Sequence, residues 1–321
     1  MARDNEKKPG LSAVHEGREA RLRGRYSRPT ANLLIYAVVG VLAVLGGYRL
    51  IWGRKLDSSR EALLSQERAA RTTVGAEWEK LQGSLEKFTI DGAGPYAGDL
   101  VAPEAKTWDF RARPGVYLRI RTADAQNATL LRKAAPFSVK DAFTGCLLRE
   151  PNAALGQGQA DAGAFAEQPW NLKQAYQATR VLTDEWEHEV QESGDDMRLR
   201  VFEQQYEKAK REEIPLAIDI VKKAEFYLFV LDEDVEEARA TADGGAITVA
   251  DLALVRHPAR IYIYDLKANK LLVRLRKEVD ASFRFAGERT AMSAETQQAM
   301  QRQVNNCALG QETWKTINGS P

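Results

Sequence analysis

The sequence predicts an α+β fold set behind a single apolar helix, and three patterns predict it. Residues Leu33 to Tyr48 carry no charge and are apolar or small throughout. Beyond them, apolar residues recur at helical spacing in some stretches and at strand spacing in others, with no regular alternation of the two. The 321 residues are 44% hydrophobic and 28% charged, ordinary values for a folded domain.

The apolar run comes first. A helix of about 20 residues crosses a bilayer core of about 30 Å. Asn32 to Trp52 meets that length, with Tyr36 and Trp52 available to the headgroups and Arg49 able to snorkel. A core helix would be amphipathic or shorter. A cleaved signal peptide would place its small residues after the apolar run, whereas Ala43 to Gly47 lie inside it. The segment 1–30 holds eight basic residues against four acidic ones. Basic residues stay on the cytoplasmic side. The expected arrangement is a cytoplasmic tail over 1–30, a transmembrane helix over 31–52 in the lipid bilayer, and a periplasmic or extracellular domain.

A helical stalk is expected over 53–90, because Lys55 to Phe88 lacks proline and is rich in helix formers. Val74, Trp78, Leu81, Leu85 and Phe88 fall on one apolar stripe. The stripe packs on the following domain or, as the alternative, forms a self-association seam and a parallel homodimer. Arg60 and Glu67 break the seam in the first half. Thr89 to Pro114, rich in glycine and proline, predicts a linker over 91–114 ahead of a domain at 115–321.

Within that domain Gly115 to Arg121 alternates apolar and basic residues, a half-buried strand signature. Ala125 to Ala134 suits a short helix, Ser138 and Asp141 have capping-box spacing, and Phe143 to Leu148 fit helix or strand. Glu150 to Pro169 predicts a loop. Leu172 to Glu192 forms an amphipathic helix; Gly194-Asp195-Asp196 breaks it and caps a second through about Glu212, an αα-hairpin. Ile214-Pro215 opens a shorter helix through Lys223. Glu225 to Asp232 is apolar enough for a strand buried on both faces, and an acidic, then Gly-rich loop follows to Val249. Ile261 to Asp265 and Leu271 to Arg276 form a hairpin, and Ser293 caps a closing helix over Ala294 to Asn305. The sheet is therefore expected to be central, antiparallel or mixed.

The chemistry is sparse. A net charge of +1 gives no reason to expect nucleic acid as a partner. The two cysteines, Cys146 and Cys307, form a disulfide across about 160 residues or remain two unrelated buried thiols. Asp184, His188 and Glu192 share a helix face, half of a metal site at most, and a solvated acidic face is the plainer account. His257-Pro258 suits a loop better than a catalytic base. Asp232, Glu233, Asp234, Glu236 and Glu237 lack the spacing of a calcium loop. Arg274 to Lys277 suits a charged hairpin edge. Gly156, Gly158 and Gly163 have no Lys-Ser or Lys-Thr behind them, as a phosphate loop requires. No catalytic, cofactor-binding or metal-binding residue is assigned, so no cofactor is expected. The expected function is that of an anchored envelope protein whose outer domain binds a protein or an envelope polymer. An enzyme with scattered site residues, or a sensor acting through a partner, are the alternatives.

Overall fold

The computed structural model describes residues 29–110, 112–148, 169–239, 245–279 and 293–319, excepting the side chains of 29–32, 48–53 and 279. Residues 1–28 of the predicted 1–30 tail, and 150–168 of the predicted loop with its three glycines, lie outside the described residues. The chain forms two compact units, Met1–Ala62 and Leu63–Pro321.

Helix α1 spans Pro29–Ala70. In the first unit its large apolar residues from Leu33 to Leu45 are all 56–76% exposed. Among the described residues no helix is long and apolar enough to cross a membrane. The predicted span Asn32–Trp52 includes residues 32 and 48–52, whose side chains lie outside the described ones.

The second unit is α+β. One π-helical turn, Arg71–Gly75, joins α1 to α2 (Ala76–Ala93). There follow β1 (Leu100–Val101), β2 (Gly115–Arg121), α3 (Ala128–Ala134), α4 (Ala142–Leu148), β3 (Trp170–Asn171), α5 (Lys173–Ala178), α6 (Asp184–Gln191), α7 (Asp196–Lys208), α8 (Ile214–Lys223) and β4 (Phe226–Asp232). The chain closes with α9 (Glu236–Arg239), α10 (Val249–Leu252), β5 (His257–Asp265), β6 (Lys270–Val279) and α11 (Ala294–Asn318). A six-stranded sheet runs in the order β1-β6-β5-β4-β2-β3. Strand β2 is parallel to β3 and β4, and every other pairing is antiparallel, so the sheet is mixed.

Strand β4 is buried along its whole length, as its apolar run predicts. Because successive side chains alternate faces, Phe226, Leu228 and Val230 join a core with Phe143, Leu147, Leu309 and Ile317 from α4 and α11. Tyr227 and Phe229 face the other side. There Tyr227 and Thr89 share a 2.8 Å hydroxyl hydrogen bond, and Phe229 stacks on Tyr262 at 4.8 Å. Helix α2 lies on this second face. Phe88 stacks on Tyr264 at 4.3 Å, and Trp78 meets Tyr176 edge-on at 6.1 Å. Trp78 and Leu85 are each only 2% exposed. The stripe Val74, Trp78, Leu81, Leu85 and Phe88 thus packs on its own domain. Trp78 and Leu85 are covered within the chain, while Val74, Leu81 and Phe88 stay half-buried.

Several local expectations are revised. The stalk does not end at residue 90: the helix continues to Ala93 and belongs with the domain from Leu63 onward. The predicted linker contains β1, where Leu100 and Val101 pair with Arg274 and Val273 of β6. The helix expected over Leu172 to Glu192 is interrupted. Trp170–Asn171 pairs with β2, a 3-10 turn at Thr179–Leu182 follows α5, and Thr183 caps α6 by accepting from the Trp186 N–H. Phe143 to Leu148 is helical. Ser138 is no capping-box residue, since its hydroxyl accepts the Arg119 N–H; Asp141 starts α4 by accepting from the Phe143 N–H. Asp195 caps α7 as expected, and Trp186 of α6 lies 5.9 Å from Phe202 and 6.0 Å from Tyr206 across the αα-hairpin. Ile214-Pro215 opens α8 through Lys223 as expected, with the proline in its first turn. A π-helical turn at Ala209–Glu213 carries α7 into α8, where a looser ladder tolerates the missing N–H.

Helix α11 starts at the Ser293 cap but runs to Asn318, well past Asn305. It lies close against α4. A Cβ added at Gly310 would sit 2.5 Å from the Phe143 carbonyl oxygen, so only glycine permits the approach. Of its large apolar residues only Leu309 and Ile317 are buried, contributing about 2 kcal/mol each. Beside them Cys146 of α4 is disulfide-bonded to Cys307, with Cα atoms 5.1 Å apart across a sequence separation of 161. Closing so long a loop contributes about 5 kcal/mol in the chain-entropy estimate.

Candidate functional site

A buried cluster of ionisable groups in the second unit grows from Arg119 in the middle of β2. Strand alternation sends Tyr117 and Arg119 to the face covered by α4 and α11. Arg119 is 0% exposed. Its fork meets Asp232, the last residue of β4: Nε donates to Oδ2 at 2.8 Å and Nη2 to Oδ1 at 2.9 Å. Nη1 donates to Asp141 Oδ2 at 2.8 Å and to Asn306 Oδ1 of α11 at 2.9 Å. The Asn306 amide returns a donor to Asp141 Oδ2 at 2.7 Å. His257, the first residue of β5, places Nε2 3.0 Å from Asp232 Oδ1 and Nδ1 3.1 Å from the Val255 carbonyl oxygen. The Tyr117 hydroxyl is buried alongside, without a hydrogen-bond partner among the described residues.

Burial alone would raise the pKa of Asp232, but the Arg119 charge, with hydrogen bonds from His257 and Arg119, holds it well below the usual carboxylate range. Asp141 goes the other way. Burial lifts its pKa, and the Arg119 charge and the Phe143 N–H offset this only in part. Burial raises the Tyr117 phenol strongly. For Arg119, burial opposes the charge, yet Asp232 and Asp141 outweigh it and keep the guanidinium ionised.

The half-buried strand expected at Gly115 to Arg121 is instead enclosed from Gly115 to Ile120, so Arg119 is a core residue, and only Arg121 at its end stays half-buried. Nor is His257 a loop residue: it is buried and bonded. This arrangement fixes five elements (β2, β4, β5, α4 and α11) around one guanidinium. Asp232 and His257 are enclosed, and the carboxylate is engaged by Arg119, so the pair has no open side for a substrate. Buried ion networks of this kind specify geometry more than they add stability.

The remaining candidates stand apart from it. His188 is exposed and 3.2 Å from Glu192, while Asp184 accepts from Arg71 instead of facing them. Among the described residues no group of three histidines, cysteines or carboxylates could hold a metal. The acidic run at the end of β4 is neutralised by arginines: Glu233 by Arg260 and Arg276, Asp234 by Arg121, and Glu236 by Arg239. Of Arg274 to Lys277 only Arg274 is paired on both sides, with Tyr262 of β5 and Leu100 of β1, while the Arg276 N–H donates to the Asp99 carboxylate. Arg274 donates to the Gly98 and Ala97 carbonyls.

A small open cleft lies between α5 and α7, lined by Gln177, Arg180, Gln205, Lys208 and Glu213. Arg180 pairs with Glu189 and Lys208 with Glu213 at its walls.

No family model, curated protein or solved structure matches the chain. Sequence reasoning passed over Arg119, Asp141 and Asn306. One signal was present: an arginine set between apolar residues in the middle of a strand, with partners far away in the sequence.

Proposed function

We propose that the chain is a single-pass membrane protein whose α+β domain lies outside the cytoplasm and binds a protein or an envelope polymer. The observation that carries this is the run from Leu33 to Leu45, where ten large apolar side chains are 56–76% exposed in unbroken helix. An aqueous monomer rarely exposes so much contiguous apolar surface. Lipid is the medium that suits an uncharged helix flanked on both sides by arginine. The Cys146–Cys307 bond fits an oxidising compartment on the domain's side. The amides of the cleft, Gln177 and Gln205, with the ion pairs at its walls, suit the hydroxyls and amides of a polymer or a peptide.

Two measurements test it. Alkaline carbonate should leave the full chain in the vesicle pellet, and release into the supernatant overturns the anchor. In intact cells a membrane-impermeant maleimide should label Ser320→Cys but not Ser12→Cys; the opposite pattern overturns the orientation.

A further inference from the structure

We propose that α11 is a thiol-releasable strap: reduction of Cys146–Cys307 undocks it from α4 and opens the Arg119 cluster to solvent while the sheet stays folded.

Four features converge on this. Both cysteines are only partly buried, so a thiolate can reach the bond. The buried face of α11 is mostly polar or small: Asn305, Asn306, Gly310 and Thr313 beside Leu309 and Ile317. Its first turn and a half, Ala294 to Ala299, is exposed. Hydrogen bonds from such a face are largely replaced by water on release, so the covalent bond carries a large share of the docking. The strands β2, β4, β5 and β6 pair with one another without using α11. Finally, Asn306 supplies one of several acceptors to Arg119, and the two bonds to Asp232 remain when α11 departs. The guanidinium stays compensated, while Asp141 loses the Asn306 donor and gains water.

The chemistry is a two-electron exchange with a dithiol. One thiolate attacks a sulfur of the bridge, the second resolves the mixed disulfide, Cys146 and Cys307 become thiols, and the dithiol is oxidised to a disulfide. Release is a property of the domain and holds whether or not Leu33 to Tyr48 lies in lipid.

Hydrogen exchange of the full chain in detergent, with and without dithiothreitol, tests it. Reduction should speed exchange in residues 301–318 by roughly tenfold or more and leave Phe226 to Asp232 as protected as before. Unchanged protection of α11 overturns the proposal, and so does joint loss in α11 and β4, which would make the bridge a global staple. Cys307→Ser should reproduce the release without reductant. Should that variant fail to fold, reduction of the preformed protein still decides. Oxidised Asn306→Ala must keep α11 protected; release there would mean that hydrogen bonds, not the bridge, hold the helix.

Discussion

Asp232 and Glu67 are both carboxylates with 0% exposure, and they titrate in opposite directions. Asp232 receives two bonds from Arg119 and one contact from His257. Glu67, near the end of α1, receives one, from Arg71 Nε at 2.9 Å, and its Oε2 has no hydrogen-bond partner among the described residues. Burial lifts the Glu67 pKa, Arg71 recovers part of the shift, and the nearby Glu187 charge works against that recovery. The desolvation penalty is common to both, so the number and charge of the donors decide the sign. Arg71 is shared with Asp184 and Glu187, whereas Arg119 commits its fork to Asp232.

The strongest way to break the contrast is to remove the arginine that makes Asp232 different. Arg119→Met leaves Asp232 and Asp141 buried without their cation and should destabilise the domain by about 3–5 kcal/mol. A urea titration reads this, and a loss under about 1 kcal/mol would show that the network is dispensable. Next in size is the docking of α11. Gly310→Ala drives a methyl against the backbone of α4 and should lose about 1–3 kcal/mol by the same measurement, with the disulfide intact.

Acid sharpens the comparison, because the two carboxylates respond with opposite sign. Asp232 is depressed when folded, so its contribution is present above the unfolded value near 3.8 and disappears as pH falls through the lower folded value. Glu67 is raised, so its contribution is present below the unfolded value near 4.5 and is lost as pH rises through the folded one. Asp232→Asn should therefore flatten the stability profile on its acid side below 3.8. Glu67→Gln should be the smallest effect, a gain on the order of 0.5 kcal/mol at neutral pH that fades below 4.5. A loss at neutral pH would mean that the Arg71 bond outweighs the burial of Glu67.

What could be read from the chain follows the range of the interactions. The apolar strand β4, the hairpin of β5 and β6, and the caps at Asp195 and Ser293 announce themselves within a few residues. Arg119 does not. Its carboxylate on β4 is 113 residues away and Asn306 is 187 away, so local alternation made it look like a solvent-facing charge. Glu67 looked like a break in the helix stripe, because nothing nearby in sequence shows that α6 and α7 close over it. Two residues are too few to show periodicity, which hid β1 in an apparent linker. The cleft is also invisible from sequence, since α5 and α7 are ordinary polar helices that meet only in three dimensions.

Strand β2 sits between β3 and β4, and neither neighbour is close in the sequence: β3 is Trp170–Asn171, and β4 begins at Phe226. During synthesis β2 therefore emerges long before either partner, an apolar ribbon with both hydrogen-bonding edges open. The nascent chain must be kept from pairing with a stranger until the helices between have been made. Ribosomes stalled before Phe226 would present β2 with its β4 edge still open.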